Sequence, residues 1–124
     1  MIQLDLSDHR PLYEQIKEKF KQLIISGVLE EHEKIPSVRE LSALLTINPN
    51  TIQHAYKELE ADGFIYSQKA RGNFVASRSH TAEVINTEDI LEEIRKLAGN
   101  AAFAGIDKEL LITEIEKCYK DFDD

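Results

Sequence analysis

Apolar residues in the first 75 positions recur at helical spacing in three blocks and then at strand spacing. Leu12, Ile16, Phe20, Leu23 and Ile24 make one helical stripe, opened by Pro11, which suits a first helical position, and closed by Gly27. The stretch VLEEHEK that follows reads as a polar connection. A second, short helix is predicted to open at Ser37, where Ser37 and Glu40 have the spacing of a capping box. It carries Leu41, Leu44 and Leu45 and ends near Thr46. Asn48 and Pro49 restart a helix at once, as N-cap and first residue. Ile52, Ala55, Tyr56 and Leu59 take one of its faces and Asn50, Gln53, His54 and Lys57 the other, and the pattern stops at Asp62-Gly63. The period then shortens: FIYSQ and NFVAS flank KARG, a hairpin whose tip holds Lys69, Arg71 and Gly72. A helix, two short helices joined by a tight turn, and a basic hairpin in this order predict a winged helix-turn-helix.

Residues 77–86 read as a polar linker. Thr87 is expected to cap a further helix with Ile90, Leu91, Ile94, Leu97 and Ala98 in a stripe. The small-residue stretch between Gly99 and Gly105, which contains Phe103, either extends that helix or bends it. Asp107 caps the last helix, with Leu111, Ile115, Cys118, Tyr119 and Phe122 along one side. The predicted fold class is mainly α with a small β-hairpin: an N-terminal winged helix-turn-helix over 1–76, then two C-terminal helices within a 77–124 tail. Two amphipathic helices without a core of their own must bury their stripes. A second copy is the expected partner, giving a two-fold homodimer through Ile90, Leu91, Ile94, Leu97, Phe103, Leu111, Ile115, Cys118, Tyr119 and Phe122; the alternative is that the tail packs back on its own head. So short a tail cannot enclose a ligand cavity of about 300–1,000 Å³ unless both copies contribute, which leaves the dimer interface as the place for a small-molecule effector.

The net charge of −8 is unevenly spread. Residues 1–78 carry ten Lys/Arg and eleven Asp/Glu, a balance of −1, and residues 79–124 carry five and twelve, a balance of −7. Neither 41–57 nor 63–82 contains an acid, so the head can present a neutral or positive face. No stretch approaches the roughly 18 apolar residues of a membrane span. The opening residues carry Asp5 and Asp8 and no apolar block, so no secretory leader is expected, and the lone Cys118 suits a reducing compartment. A cytoplasmic location follows as an expectation. His9, His32, His54 and His80 are far apart and show no metal-ligand spacing; no phosphate loop or nucleophile elbow occurs. Neither an enzyme nor a metal or other cofactor is predicted.

The polar face of the third helix carries the chemistry. Asn50, Gln53, His54 and Lys57, with Thr51 at the same end, are hydrogen-bonding groups that a helix entering a major groove can set on base edges and phosphates. Arg39, in the first turn of the preceding helix, can donate to a guanine or a phosphate, unless it pairs with Glu40 or another acid. Lys69 and Arg71 would meet a minor groove or the backbone. The rival expectation is a winged helix used for protein contacts, which needs no such polar face.

These residues resemble the GntR-type regulators. The resemblance is carried by Pro11-Leu12-Tyr13-Glu14-Gln15-Ile16, Gly27-Val28-Leu29, Ile35-Pro36-Ser37-Val38-Arg39-Glu40-Leu41, Asn48-Pro49-Asn50-Thr51-Ile52, Ala55-Tyr56-Lys57-Glu58-Leu59-Glu60, Gly63 and Gly72-Asn73-Phe74-Val75. The Asn-Pro-Asn-Thr start and short tail are similar to the YtrA-type subgroup. The resemblance implies a dimeric repressor on inverted half-sites, with a transporter operon of ABC type and the regulator's own gene as targets. It implies DNA contacts from Ser37, Arg39, Asn48, Asn50, Thr51, Gln53, His54 and Lys57, and from Lys69, Arg71 and Gly72 in the wing. Glu31-His32 stand where the family usually has Pro-Gly, Pro49 and Gln53 where many members have arginine, and Ala70 and Asn73 replace the first glycine and the threonine of the usual wing motif.

Overall fold

The structure, a computed structural model, describes residues 4, 5 and 7–122. It divides into two compact units, Met1–Ile85 and Asn86–Asp124. The first contains α1 (Leu12–Ile25), α2 (Val38–Leu45), α3 (Pro49–Ala61), the antiparallel strands β1 (Ile65–Gln68) and β2 (Gly72–Val75), and α4 (Arg78–Val84); the second contains α5 (Thr87–Phe103) and α6 (Lys108–Lys120). The chain is therefore mainly helical with one hairpin, and its first unit is a winged helix.

The capping signals of α2, α3 and α6 act as their chemistry requires, whereas α5 is capped by Asn86, which accepts from Glu88 N, and not by Thr87, its first residue. Ser37 Oγ accepts from Glu40 N at 3.0 Å while the Glu40 carboxylate accepts from Ser37 N at 3.1 Å, so both halves of the box are made. Asn48 Oδ1 accepts from Asn50 N at 2.8 Å and Pro49 follows as the first residue of α3. Pro11 is the N-cap of α1 and not its first residue. Between α2 and α3, Thr46 turns the chain through the left-handed region at φ 56°, and Ser42 holds the turn by donating to Ile47 O.

The core is drawn from the stripes read from the sequence: Ile16 and Phe20, Leu41, and Ile52, Ala55, Tyr56 and Leu59 are buried against Ile35, Phe64, Ile65 and Val75, with Leu23, Ile24 and Leu45 partly buried beside them, while Leu44 of the α2 stripe is exposed. Each fully buried aliphatic or phenyl side chain contributes about 1.5–3 kcal/mol. Phe20 meets Tyr56 edge-on at 5.6 Å. Across the α1–α3 seam Lys17 bridges Glu58 and Asp62, each at 2.9 Å. Gln15, buried, accepts from Asp5 N and donates to Arg10 O, which ties down the segment before α1.

Two segments depart from the sequence expectation. The connection before α2 is not merely polar coil. His32 N donates to Val75 O (2.8 Å), Val75 N to Glu33 O (2.9 Å) and Ile35 N to Asn73 O (3.0 Å), so residues 32–35 lie antiparallel beside β2 as a short third strand. The expected linker at 77–86 contains α4, an additional helix beyond the two predicted after the hairpin. Its first turn is capped by Ser77, which accepts from His80 N, and by Glu31, which accepts from Arg78 N. Thr81 then donates to Gly63 O at 2.7 Å. The polar residues that suggested a linker are thus caps and a helix-to-turn hydrogen bond.

In the second unit, α5 runs unbroken through the small-residue stretch. It ends in a Schellman motif: Gly105, at φ 78°, donates to Ala102 O and Ile106 N donates to Ala101 O. Because the helix continues, Phe103 falls nine residues after Ile94, two and a half turns on, and stands on the opposite face at 97% exposure. It does not share a seam with Ile90, Leu91, Ile94 and Leu97. In this unit only Ala101 is buried among the described residues, and the stripes on α5 and α6 stay largely open.

Two predictions follow from this packing. Gly63 has φ +86°, and a Cβ there would lie 2.7 Å from Val84 Cβ. Gly63→Ala should therefore cost at least about 2 kcal/mol, read as a lowered midpoint in chemical unfolding. The hydrogen bond from Lys17 holds the Glu58 carboxyl below its ordinary 4.5. Burial opposes the Asp62 charge, but Lys17 and Lys21 outweigh it and hold that carboxyl below its ordinary 3.8. Groups depressed in the folded state stabilise above their ordinary values, and that stability is lost as pH falls through the folded ones. Unfolding midpoints should be level above about pH 5 and decline below it, and Asp62→Asn should flatten the decline.

Candidate nucleic-acid interface

One side of α3 is committed to the core, which fixes what the other side presents. Tyr56 OH donates to Pro36 O at 2.7 Å, locking α3 to the segment that starts α2; burial pushes this phenol up, so it stays a donor. Glu60 accepts from Ser67 N and Ser67 Oγ, locking α3 to the hairpin. Between these ties lies an open groove of about 210 Å³, lined by Val38 of α2, Gln53, Tyr56, Lys57 and Glu60 of α3, and Ser67 and Asn73 of the strands. The start of α2, the outer face of α3 and the hairpin thus share one concave surface.

Asn50, Gln53 and Lys57 are exposed in a row along α3, with Thr51 half-buried beside them. Ser37 and Asn48 spend a side-chain oxygen on capping. Arg39 is exposed, and the partner considered for it, Glu40, is occupied by Ser37 N, a hydrogen bond that lowers the Glu40 carboxyl. Lys69 and Arg71 flank Ala70, which takes φ 67°, and Arg71 N closes the turn onto Gln68 O. Gly72, at φ 121°, begins β2.

His54 is placed apart from this row. Its ring stacks on Tyr13 of α1 at 3.8 Å and its Nε2 lies 2.9 Å from the Glu58 carboxylate. At i+4 from Asn50 it shares the outer side of α3, but the structure aims it at the α1 seam. Sequence periodicity cannot separate these two directions, because the partner ring is 41 residues away.

Charge pairing sorts the cations of this unit. Arg10, Lys17 and Lys21 sit against carboxylates. Lys19, Lys34, Arg39, Lys57, Lys69 and Arg71 have no carboxylate partner among the described residues; Lys19, exposed on α1, and Lys34 were not candidates from the sequence, and the other four were. Sequence reading also passed over Ser67 and Asn73, whose strand positions gave no signal beyond hairpin formation. Among the described residues no cluster of His, Cys, Asp or Glu is placed to hold a metal ion, and no helix is long and apolar enough to cross a membrane.

A winged helix whose α3 polar residues Gln53 and Lys57 share a groove with the hairpin is the architecture of a regulator of the DNA-reading class. Residues 12–75 match the model of the bacterial regulatory proteins, gntR family, and the chain belongs to that family of transcription regulators, not to an enzyme family. It is 38% identical over 112 residues to the HTH-type transcriptional repressor YtrA of Bacillus subtilis, covering 90% of this chain and 86% of that one. The transcriptional antiterminator structure from Listeria monocytogenes superposes with a TM-score of 0.80 at 31% identity, over 98% of this chain and 91% of the other. The AraR DNA-binding domain in complex with operator ORE1 gives 0.53 at 32% identity, over 61% and 93%. The likeness to YtrA extends beyond the winged helix into the tail, as the YtrA-type resemblance implied.

Arg39→Ala should cost about 1–3 kcal/mol in binding to a selected operator duplex, measured by titration at fixed salt. Unchanged affinity would remove Arg39 from the interface.

Proposed function

We propose that this protein is a cytoplasmic, dimeric repressor that binds an operator of two inverted half-sites. The carrying observation is that Gln53 and Lys57 of α3 line one groove with the start of α2 and the hairpin, while Arg39 and Asn50 are exposed on the same two helices and Glu40, Glu58 and Asp62 are engaged with a backbone N–H or with Lys17. A helix row of amide groups can pair with adenine edges, and the neighbouring cations replace counterions on the phosphates. The wing residues Lys69 and Arg71 then reach the flanking backbone or minor groove. The regulated genes implied by the YtrA-type resemblance are an ABC transporter operon and the regulator's own gene.

Dimerisation is supported by the second unit. Ile90, Leu91, Ile94 and Ile115 are each 41–48% exposed, and a two-helix unit with one buried alanine cannot shield them alone. The same stripe on a second copy covers them, and a two-fold pair of heads suits a two-fold operator. Arg95 with Glu88 and Glu92, Lys96 with Glu93 and Lys117 with Glu114 keep a solvated face on the same helices.

Selection of duplexes from a random pool with the full chain should enrich a motif with two-fold symmetry. Enrichment of nothing at modest ionic strength defeats the DNA reading. Leu111→Glu combined with Ile115→Glu should sediment as a monomer and bind the selected duplex more weakly; persistent dimers would place the interface elsewhere.

A further inference from the structure

We propose that Lys34 is a phosphate-binding residue of the DNA face, seated over Gly72 at the turn end of the wing. The assignment rests on the DNA-binding reading above and adds a contact from a residue outside the helix-turn-helix and the hairpin. Residues 32–35 pair with β2, and Lys34 forms a bridge with Phe74. Ile35, the next residue, is buried at 1% exposure, so strand alternation turns Lys34 outward. Its side chain runs across the first residue of β2: a Cβ on Gly72 would lie 3.0 Å from Lys34 Cε and 3.8 Å from Nζ. Gly72 therefore serves two ends, adopting φ 121° and leaving a path for the lysine. That gives Gly72 a role at the interface without any DNA contact of its own.

Among the described residues no carboxylate forms an ion pair with the Lys34 ammonium. Of the acids nearest in sequence, Glu31 accepts from Arg78 N, Glu33 from Glu30 N and Glu40 from Ser37 N, and the Glu30 carboxylate forms no ion pair with Lys34. The Lys34 charge helps to lower the Glu40 carboxyl, yet no ion pair forms. Arg71 adjoins Gly72 in the hairpin. A lysine held on a wing with its cationic neighbours and no acid partner meets a phosphate oxygen without first breaking an ion pair, and a lysine recognises such an oxygen as a point charge.

The test uses the full chain, its Lys34→Met and Lys34→Arg variants, and a duplex selected by the wild type. Methionine keeps an unbranched apolar stem over Gly72 and removes the charge; equal thermal midpoints check that the fold is retained. The slope of log affinity against log salt should be shallower by about 0.9 for Lys34→Met, with weaker binding at low salt and the same selected motif. Lys34→Arg should restore the wild-type slope. A Lys34→Met slope equal to wild type, whatever the affinity, overturns the assignment while leaving the DNA reading intact. A wild type with no salt-dependent preference for any duplex overturns both.

Discussion

Burial of one side of α3 is the constraint on which the rest of this protein depends. Ile52, Ala55, Tyr56 and Leu59 are held in the core, and each tie around them aims the opposite side of the helix. Phe20 and Lys17 hold α3 from α1, Pro36 O receives the Tyr56 hydroxyl from the α2 side, and Ser67 is held by Glu60 from the hairpin side. A helix fixed on three sides presents Asn50, Gln53 and Lys57 at the same angle each time it meets a ligand. Such pre-organisation limits the ordering cost of association to the side chains themselves.

Electrostatics follow the same division. A net charge of −8 is unfavourable for approaching a polyanion, and the protein meets this by placement. Most of the excess acid lies in the tail, where part of it is tied up in helix-surface pairs. In the head, carboxylates pair with Lys17 and Lys21 or cap backbone N–H groups, leaving the cations around the groove unpaired. His54 belongs with the structural side of this division, packed on Tyr13 and bonded to Glu58.

The departures from the GntR-type pattern keep the backbone path. His32 and Ala70 stand where the family usually has glycine, and both adopt positive φ, 66° and 67°. A side chain in that region costs roughly 1–2 kcal/mol. For His32 the hydrogen bond between Nδ1 and the Tyr66 hydroxyl at 2.8 Å, with the two rings edge to face, offsets part of this. Glu31, the other replacement, caps α4. Together the pair joins the start of the third strand, β1 and the extra helix.

Local chemistry made much of this legible from the sequence. The capping box at Ser37, the Asn48-Pro49 restart, the apolar helical stripes and the hairpin all depend on residues within a few positions of one another, and the polar row on α3 follows from its period. Tertiary structure decided whatever depends on residues that meet across 30 or more positions. It placed residues 32–35 on β2, turned His54 to Tyr13, laid Lys34 over Gly72 and brought Glu31 to the start of α4. Spacing along a chain records which face a residue occupies; the neighbour on that face is set only when the stripes pack, because packing alone brings distant segments into register.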